Sequence, residues 1–273
     1  MKASRILAAA LSLAAASASR AEGPKPSANR ERVLALLADY RAEEARDLLR
    51  RQNAPDPLLA GLVHHGLYQA DSVLAVLAPL HRAGRIDDRA VLALAEAFLW
   101  KKDYRNAQAL LDAFPRKEDL GYLRVLATQM ELVNRHQEAL ALWDRIIAAD
   151  PKPWGAMERK AIVLSWKKRF DESIALFSKV AASGAASGPL RLRCRVKKAE
   201  VVAWNGDLDG SIKVLDSVLS EHPHHVDASL HKGQILEWKG RYPEAKAVYS
   251  AILQKQPDHA TARLRLEKLG WAR

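Results

Sequence analysis

Residues 235–257 read ILEWKGRYPEAKAVYSAILQKQP, and 34 residues earlier, at 201–223, the chain reads VVAWNGDLDGSIKVLDSVLSEHP. Tryptophan, glycine, an apolar residue, a small residue, a further apolar pair and a proline fall in one order at one spacing. Numbering the repeat so that Gly240 is position 15 places Gly233 at 8, Leu236 at 11, Tyr242 at 17, Ala245 at 20, Tyr249 at 24 and Pro257 at 32. Stepping back by 34, 38, 34 and 32 residues finds the frame again. The pairs at positions 8 and 20 are then Ala199 and Ser211, Ala161 and Ser173, Ala127 and Ala139, and Ala95 and Ala107. A unit this short cannot bury its apolar face alone, so its copies must stack and supply one another's core.

Five copies with a small residue at both positions resemble the tetratricopeptide repeat (TPR) family, whose unit is a pair of antiparallel helices. The resemblance implies an all-α, right-handed α-solenoid of about six to seven helix pairs over residues 30–270, with a C-terminal capping helix. Small residues at 8 and 20 let the two backbones approach, large apolar groups at 11, 17 and 24 fill the space around that contact, and proline at 32 ends the second helix. Further back the pattern weakens. Ala45, Leu49 and Pro57 fit a first repeat, whereas Gly61 and Leu77 frame a degenerate second pair in which Val73 is too large for position 20. ASGAASGP, residues 182–189, accounts for the 38-residue step and reads as a flexible break. Leu264, Leu266, Leu269 and Trp271 belong to the expected cap.

Composition agrees with helices. Of 273 residues, 49% are apolar and 6% aromatic, and no alternating run bounded by turn residues suggests a strand. Residues 1–21 carry the grammar of a cleaved secretory signal: a basic start, the apolar run Ile6–Ala16, then Ala16-x-Ala18 and a second cut after Ala21. A linker over 22–29 follows. That apolar run is shorter than the roughly 20 residues a membrane span needs. Cys194 is the single cysteine, so no internal disulfide forms. The expected location is periplasmic or secreted. The formal charge is +11, and loss of Lys2, Arg5 and Arg20 with the signal leaves +8. Outside the cytoplasm, a basic surface suits acidic proteins or anionic polysaccharide ahead of nucleic acid.

Departures from the repeat pattern locate the candidate site. Position 13 is tryptophan in four of the five good copies, Trp100, Trp166, Trp204 and Trp238, with Leu132 in the fifth. The resemblance places position 13 at the mouth of the groove lined by the first helices. The indoles either form a stacking platform for an extended ligand or pack between repeats. Lys160, Lys198 and Lys232 recur at position 7, either as a basic stripe or as solvated surface. Arg135, Arg169 and Arg241 share position 16. VLSWKKRFDESIALF (163–177) and ILEWKGRYPEAKAVY are similar to the periplasmic TPR segments of exopolysaccharide exporters, although no barrel is matched. The family's lysine-and-asparagine clamp for a terminal carboxylate is also unmatched.

Chemistry finds little support. His222, His224 and His225 cluster at a turn without the four ligands of a closed zinc site. No catalytic or phosphate-binding motif occurs, and Cys194 reads as a packing residue. No cofactor or metal is expected. The leading expectation is a non-enzymatic periplasmic scaffold for protein–protein interactions in a cell-envelope assembly. The alternative is a polysaccharide-binding module assisting exopolysaccharide secretion.

Overall fold

The computed structural model describes residues 28–38, 41–52 and 56–270. The signal segment 1–21, nearly all of the linker and Trp271 lie outside the described residues. Fifteen α-helices and no strand occur among the described residues, and the chain divides into two compact units after Asp103. The first unit holds α1 (Ala28–Ala38), α2 (Ala42–Arg50), α3 (Pro57–Gly66), α4 (Ala70–Arg82) and α5 (Asp88–Trp100). The second holds α6 (Tyr104–Ala113), α7 (Leu120–Leu132), α8 (His136–Ala149), α9 (Trp154–Trp166) and α10 (Phe170–Ala182). It continues with α11 (Gly188–Trp204), α12 (Leu208–Glu221), α13 (Val226–Trp238), α14 (Tyr242–Lys255) and α15 (Ala260–Lys268).

Local sequence sets the ends of these helices. Asp56, Asp87, Asp119, Ser187 and Asp207 accept from backbone amides at the starts of α3, α5, α7, α11 and α12. His225 and His259 do the same for α13 and α15, which gives one member of the histidine cluster a structural task. Pro151, Pro223 and Pro257 lie two residues beyond the ends of α8, α12 and α14. Position 15 turns the chain between the two helices of a pair with positive φ at Lys102, Asn134, Lys168, Gly206 and Gly240. Glycine adopts that conformation without a steric penalty; lysine does not.

Packing follows the repeat frame. Within the second unit, Ala127, Ala139, Ala161, Ser173, Ala199, Ser211 and Ala245 are fully buried. Ser173 and Ser211 donate to the carbonyls of Ala161 and Ala199 at 2.7 and 2.6 Å, so the small polar side chain at position 20 is satisfied by the backbone at position 8. At Gly233 even a Cβ is excluded, since it would fall 2.6 Å from Tyr249 Cε1. Leu236, Tyr249 and Ile252 continue this core, and Ala262 and Leu269 of the cap close it. Leu264 departs from the expected cap residues: it is exposed.

Two irregularities are accommodated. Val73 is fully buried between α4 and its neighbours despite its size. Across the same pair the missing side chain of Gly61 admits Leu77; a Cβ there would lie 2.2 Å from Leu77 Cδ2. In the 182–189 segment, α10 ends at Ala182, Ala186 is buried in the core shared with Phe177 and Cys194, and Ser187 caps α11. No described helix is long and apolar enough to cross a membrane.

Candidate functional site

The first helices of successive pairs in the second unit pack side by side, α9 against α11 and α11 against α13. Each ends at position 13. Leu132, Trp166, Trp204 and Trp238 therefore occupy one register, at the C-terminal ends of α7, α9, α11 and α13, and their exposures are 44, 48, 42 and 55%. Only six large apolar side chains are exposed among the described residues, and four of them form this row. The His136 ring meets Trp166 edge-on with centroids 5.5 Å apart.

Trp100 lies in the first unit and is half-buried. His65 stacks on it at 5.1 Å and 18°, and Tyr68 tilts against it at 5.5 Å. The His65 Nε2 is 2.5 Å from Glu96 Oε2.

The position-7 lysines point across the seams between pairs. Lys160 pairs with Asp144, and Lys232 with Asp216 at 2.6 Å, in each case on the second helix of the preceding pair. The equivalent partner for Lys198 is Ser178, and Lys198 has no ion pair among the described residues. Position 14 repeats the device. Lys239 pairs with Asp209, Asn205 donates to Asp171 at 3.2 Å, and in the first unit Lys101 meets Asp71 at 2.9 Å. Arg41, Arg135, Arg169 and Arg241 at position 16 each grip a glutamate three residues on, at the start of the second helix. These hydrogen bonds hold the carboxyls of Glu44, Glu172 and Glu244 below the ordinary range.

Sequence reasoning missed a set of recessed carboxylates on the first helices, two of them buried and Glu237 partly so. Glu131 at position 12 accepts from Trp143 Nε1 at 2.6 Å and pairs with Arg159 of the next pair. Glu237, also at position 12, accepts from the Tyr249 hydroxyl at 2.5 Å and faces Arg265 Nη1 at 3.5 Å. Glu158 takes a two-pronged grip from Arg193, at 2.5 and 2.7 Å. Burial raises the Glu131 carboxyl above its ordinary value, against the pull of Arg159 and Trp143. The signal was available: a glutamate occurs at position 12 where position 24 is tryptophan or tyrosine, whereas Phe177, Leu111 and Leu215 accompany Ser165, Leu99 and Ala203. Cys194 is fully buried, and burial followed by the Glu158 charge pushes its thiol up to about 12. No group of three metal-ligating side chains is assembled among the described residues.

Two tetratricopeptide-repeat family models match the chain, at residues 133–188 and 205–267. Among solved structures, the APC/C hetero-tetramer Cut9–Hcn1 aligns with a TM-score of 0.63 and 13% identity, covering 87% of this chain and 48% of that one. A tetratricopeptide repeat protein from Parabacteroides merdae aligns at 0.57 and 13%, covering 80% and 93%. Pseudomonas aeruginosa pilF aligns at 0.54 and 16%, covering 66% and 83%. Identities this low carry the fold alone. Comparison with curated proteins finds no match. No enzymatic family is indicated, and the repeat is in general an interaction scaffold. The repeat frame, the two family matches and the shared helix-pair fold make this chain a tetratricopeptide-repeat protein.

Proposed function

We propose that this protein is an exported, non-catalytic scaffold that holds a protein partner against the first-helix face of its second unit, within a cell-envelope assembly. The exposed row of Leu132, Trp166, Trp204 and Trp238 along one end of that face is the observation that carries the reading. Half-exposed indoles in a row offer large contact area at low entropic cost, and tryptophan dominates binding energetics at protein interfaces. In this reading Lys198 contributes a cation without an internal partner, Lys160 and Lys232 contribute only what their aspartates leave, and Trp100 forms a separate aromatic contact in the first unit.

The test is co-purification from the envelope fraction of the native host, with mature wild type and with a Trp166→Ala, Trp204→Ala, Trp238→Ala variant. A defined protein should be retained by wild type and lost by the variant, with thermal stability little changed. Retention of the same protein by the variant would remove the row from the interface. Recovery of carbohydrate in place of protein, again lost with the indoles, would install the polysaccharide reading instead. N-terminal sequencing of the same material checks export: the first residue should follow Ala18 or Ala21.

A further inference from the structure

The turns that lead into α13 and α15 repeat one motif. Pro223-x-His225 and Pro257-x-His259 stand 34 residues apart, and each histidine immediately precedes its helix, with φ of −75° and −69°. Each ring turns Nδ1 back onto its own helix. There it accepts from the backbone amide three residues on, Ala228 and Ala262, at 3.2 Å. An amide can donate only to a nitrogen without a proton, so both rings are neutral and carry their proton on Nε2. The other first helices from α3 on do without this device. Asp56, Asp87 and Asp119 cap α3, α5 and α7 with a carboxylate, Ser187 caps α11 with a hydroxyl, and α9 follows Pro153 with no side-chain cap. Carboxylates and hydroxyls keep accepting in mild acid, whereas an imidazole changes charge between roughly pH 5 and 8.

Protonation of Nδ1 turns the acceptor into a donor aimed at the amide it capped. It also sets a positive charge at a helix N-terminus, where the peptide dipoles oppose it. The stability that the two caps supply is present while the rings are neutral and is lost as pH falls through the histidine range. Charges on the adjoining helix ends are mixed. Toward His225, α11 brings Arg191, Arg193 and Arg195, α12 brings Glu221, which Arg195 holds at 2.7 Å, and α14 brings Lys255. Its own turn and helix carry His222, His224, Asp227 and His231. Toward His259 stand Lys255 of α14, Asp227 and His231 of α13, and Asp258 and Arg263, which lie 3.4 Å apart. Asp227 and Asp258 offset the charge of an imidazolium but leave the Ala228 and Ala262 amides without their present acceptor.

Helix α15 depends on its cap more than the longer helices do. It has nine residues, and only Ala262 within it and Leu269 just past it are buried. A helix that short is marginal without support from its neighbours. Its polar ties are few: Arg263 donates to the Pro257 carbonyl at 2.5 Å, and Arg265 lies 3.5 Å from Glu237 Oε2 of α13. Beneath it lies the core of Leu236, Tyr249 and Ile252. We propose that His225 and His259 form an acid-released latch. Their protonation undocks α15 and loosens the start of α13, uncovering the apolar end of the stack around Tyr249 and Ile252. The latch stands whether or not the tryptophan row holds a partner.

The test is hydrogen exchange of the mature protein, read by mass spectrometry at about pH 7.5 and about pH 5.5 and corrected for the hydroxide dependence of exchange. In wild type, protection of α15 and of the first turn of α13 should fall at least about 5-fold on acidification, the loss expected for one helix cap, while α7 and α8 stay unchanged. His225→Asn with His259→Asn keeps an acceptor at both caps and does not titrate, so the loss should vanish. His222→Asn with His224→Asn alters neighbouring rings that accept from no helix amide, and this variant should lose protection as wild type does. Imidazole nitrogen-15 shifts of wild type at neutral pH read the tautomer without any variant, and Nδ1 of both rings should carry no proton. Unchanged protection in wild type, the same loss in the His225→Asn, His259→Asn variant, no loss in the His222→Asn, His224→Asn variant, an equal loss in α7 and α8, or a proton on Nδ1 at neutral pH would each overturn the proposal.

Discussion

At Gly233 the side chain is a hydrogen because the Tyr249 ring occupies the space where a methyl group would go. Gly233→Ala should therefore destabilise the protein by about 1–3 kcal/mol through overpacking, read as a lower urea midpoint. An unchanged midpoint would mean that the ring relaxes at no cost and that the contact between positions 8 and 24 is loose. Lys168 presents the opposite case, since its φ of 58° suits glycine. Lys168→Gly should stabilise the protein by up to about 1 kcal/mol, read as a higher urea midpoint, because relief of the left-handed strain outweighs the added freedom of the unfolded chain. Cys194 gives a third residue-level expectation. A buried thiol pushed up to about 12 should not react with a disulfide reagent at mildly alkaline pH until the protein unfolds, so its labelling rate should track urea unfolding. Rapid labelling of folded protein would show that the joint between α10 and α11 opens locally.

Pairs of helices are tied to their neighbours by two kinds of contact, apolar packing along the repeat frame and polar clasps laid over it. The clasp at Glu131 makes a statement about pH. Its carboxyl lies above the ordinary value in the folded state, chiefly through burial. The folded state then holds the proton more tightly than the unfolded one. This group's contribution is full below the unfolded value and is lost as pH rises through the folded one. Glu131→Gln cannot titrate, so the stability of wild type relative to the variant should increase as pH falls from neutral into the carboxylate range. Urea denaturation of both proteins at several pH values checks this, and a difference that shrinks on acidification would show that Arg159 outweighs burial. The arginine–glutamate grips at position 16 have the other sign, since their carboxyls are lowered, and they cancel in this comparison.

At the scale of the whole second unit, unfolding should proceed as in a stack, since each of its pairs leans on its neighbours. Hydrogen exchange in native protein should show the cap helix α15, at the end of that unit, opening before α9 to α12 in its interior. Uniform protection across all pairs would indicate one cooperative unit instead. The cap has a specific duty here. Ala262 and Leu269 cover the core around Tyr249 and Ile252. Removal of the residues after Pro257 should lower the melting temperature and speed exchange in α14 first.

Much of this was legible in the chain because it is written in periods. Small residues at positions 8 and 20, prolines past the helix ends and the absence of strand patterning are local facts, and local backbone sterics turn them into helix pairs without further information. The register of the tryptophans was equally legible. What the sequence left open was orientation. Whether an indole at position 13 lies between repeats or stands in solvent depends on how one pair leans on the next, and only the tertiary structure decided that three of them are exposed. The charges show the same division. Lysines at position 7 and glutamates at positions 5 and 12 are plain in the sequence. Which member of a pair is recessed and which faces outward is set by the side on which two helices meet, a relation between residues about 16 to 35 positions apart. Pattern along a chain specifies what a helix is; the sign of the surface it presents comes from what packs behind it.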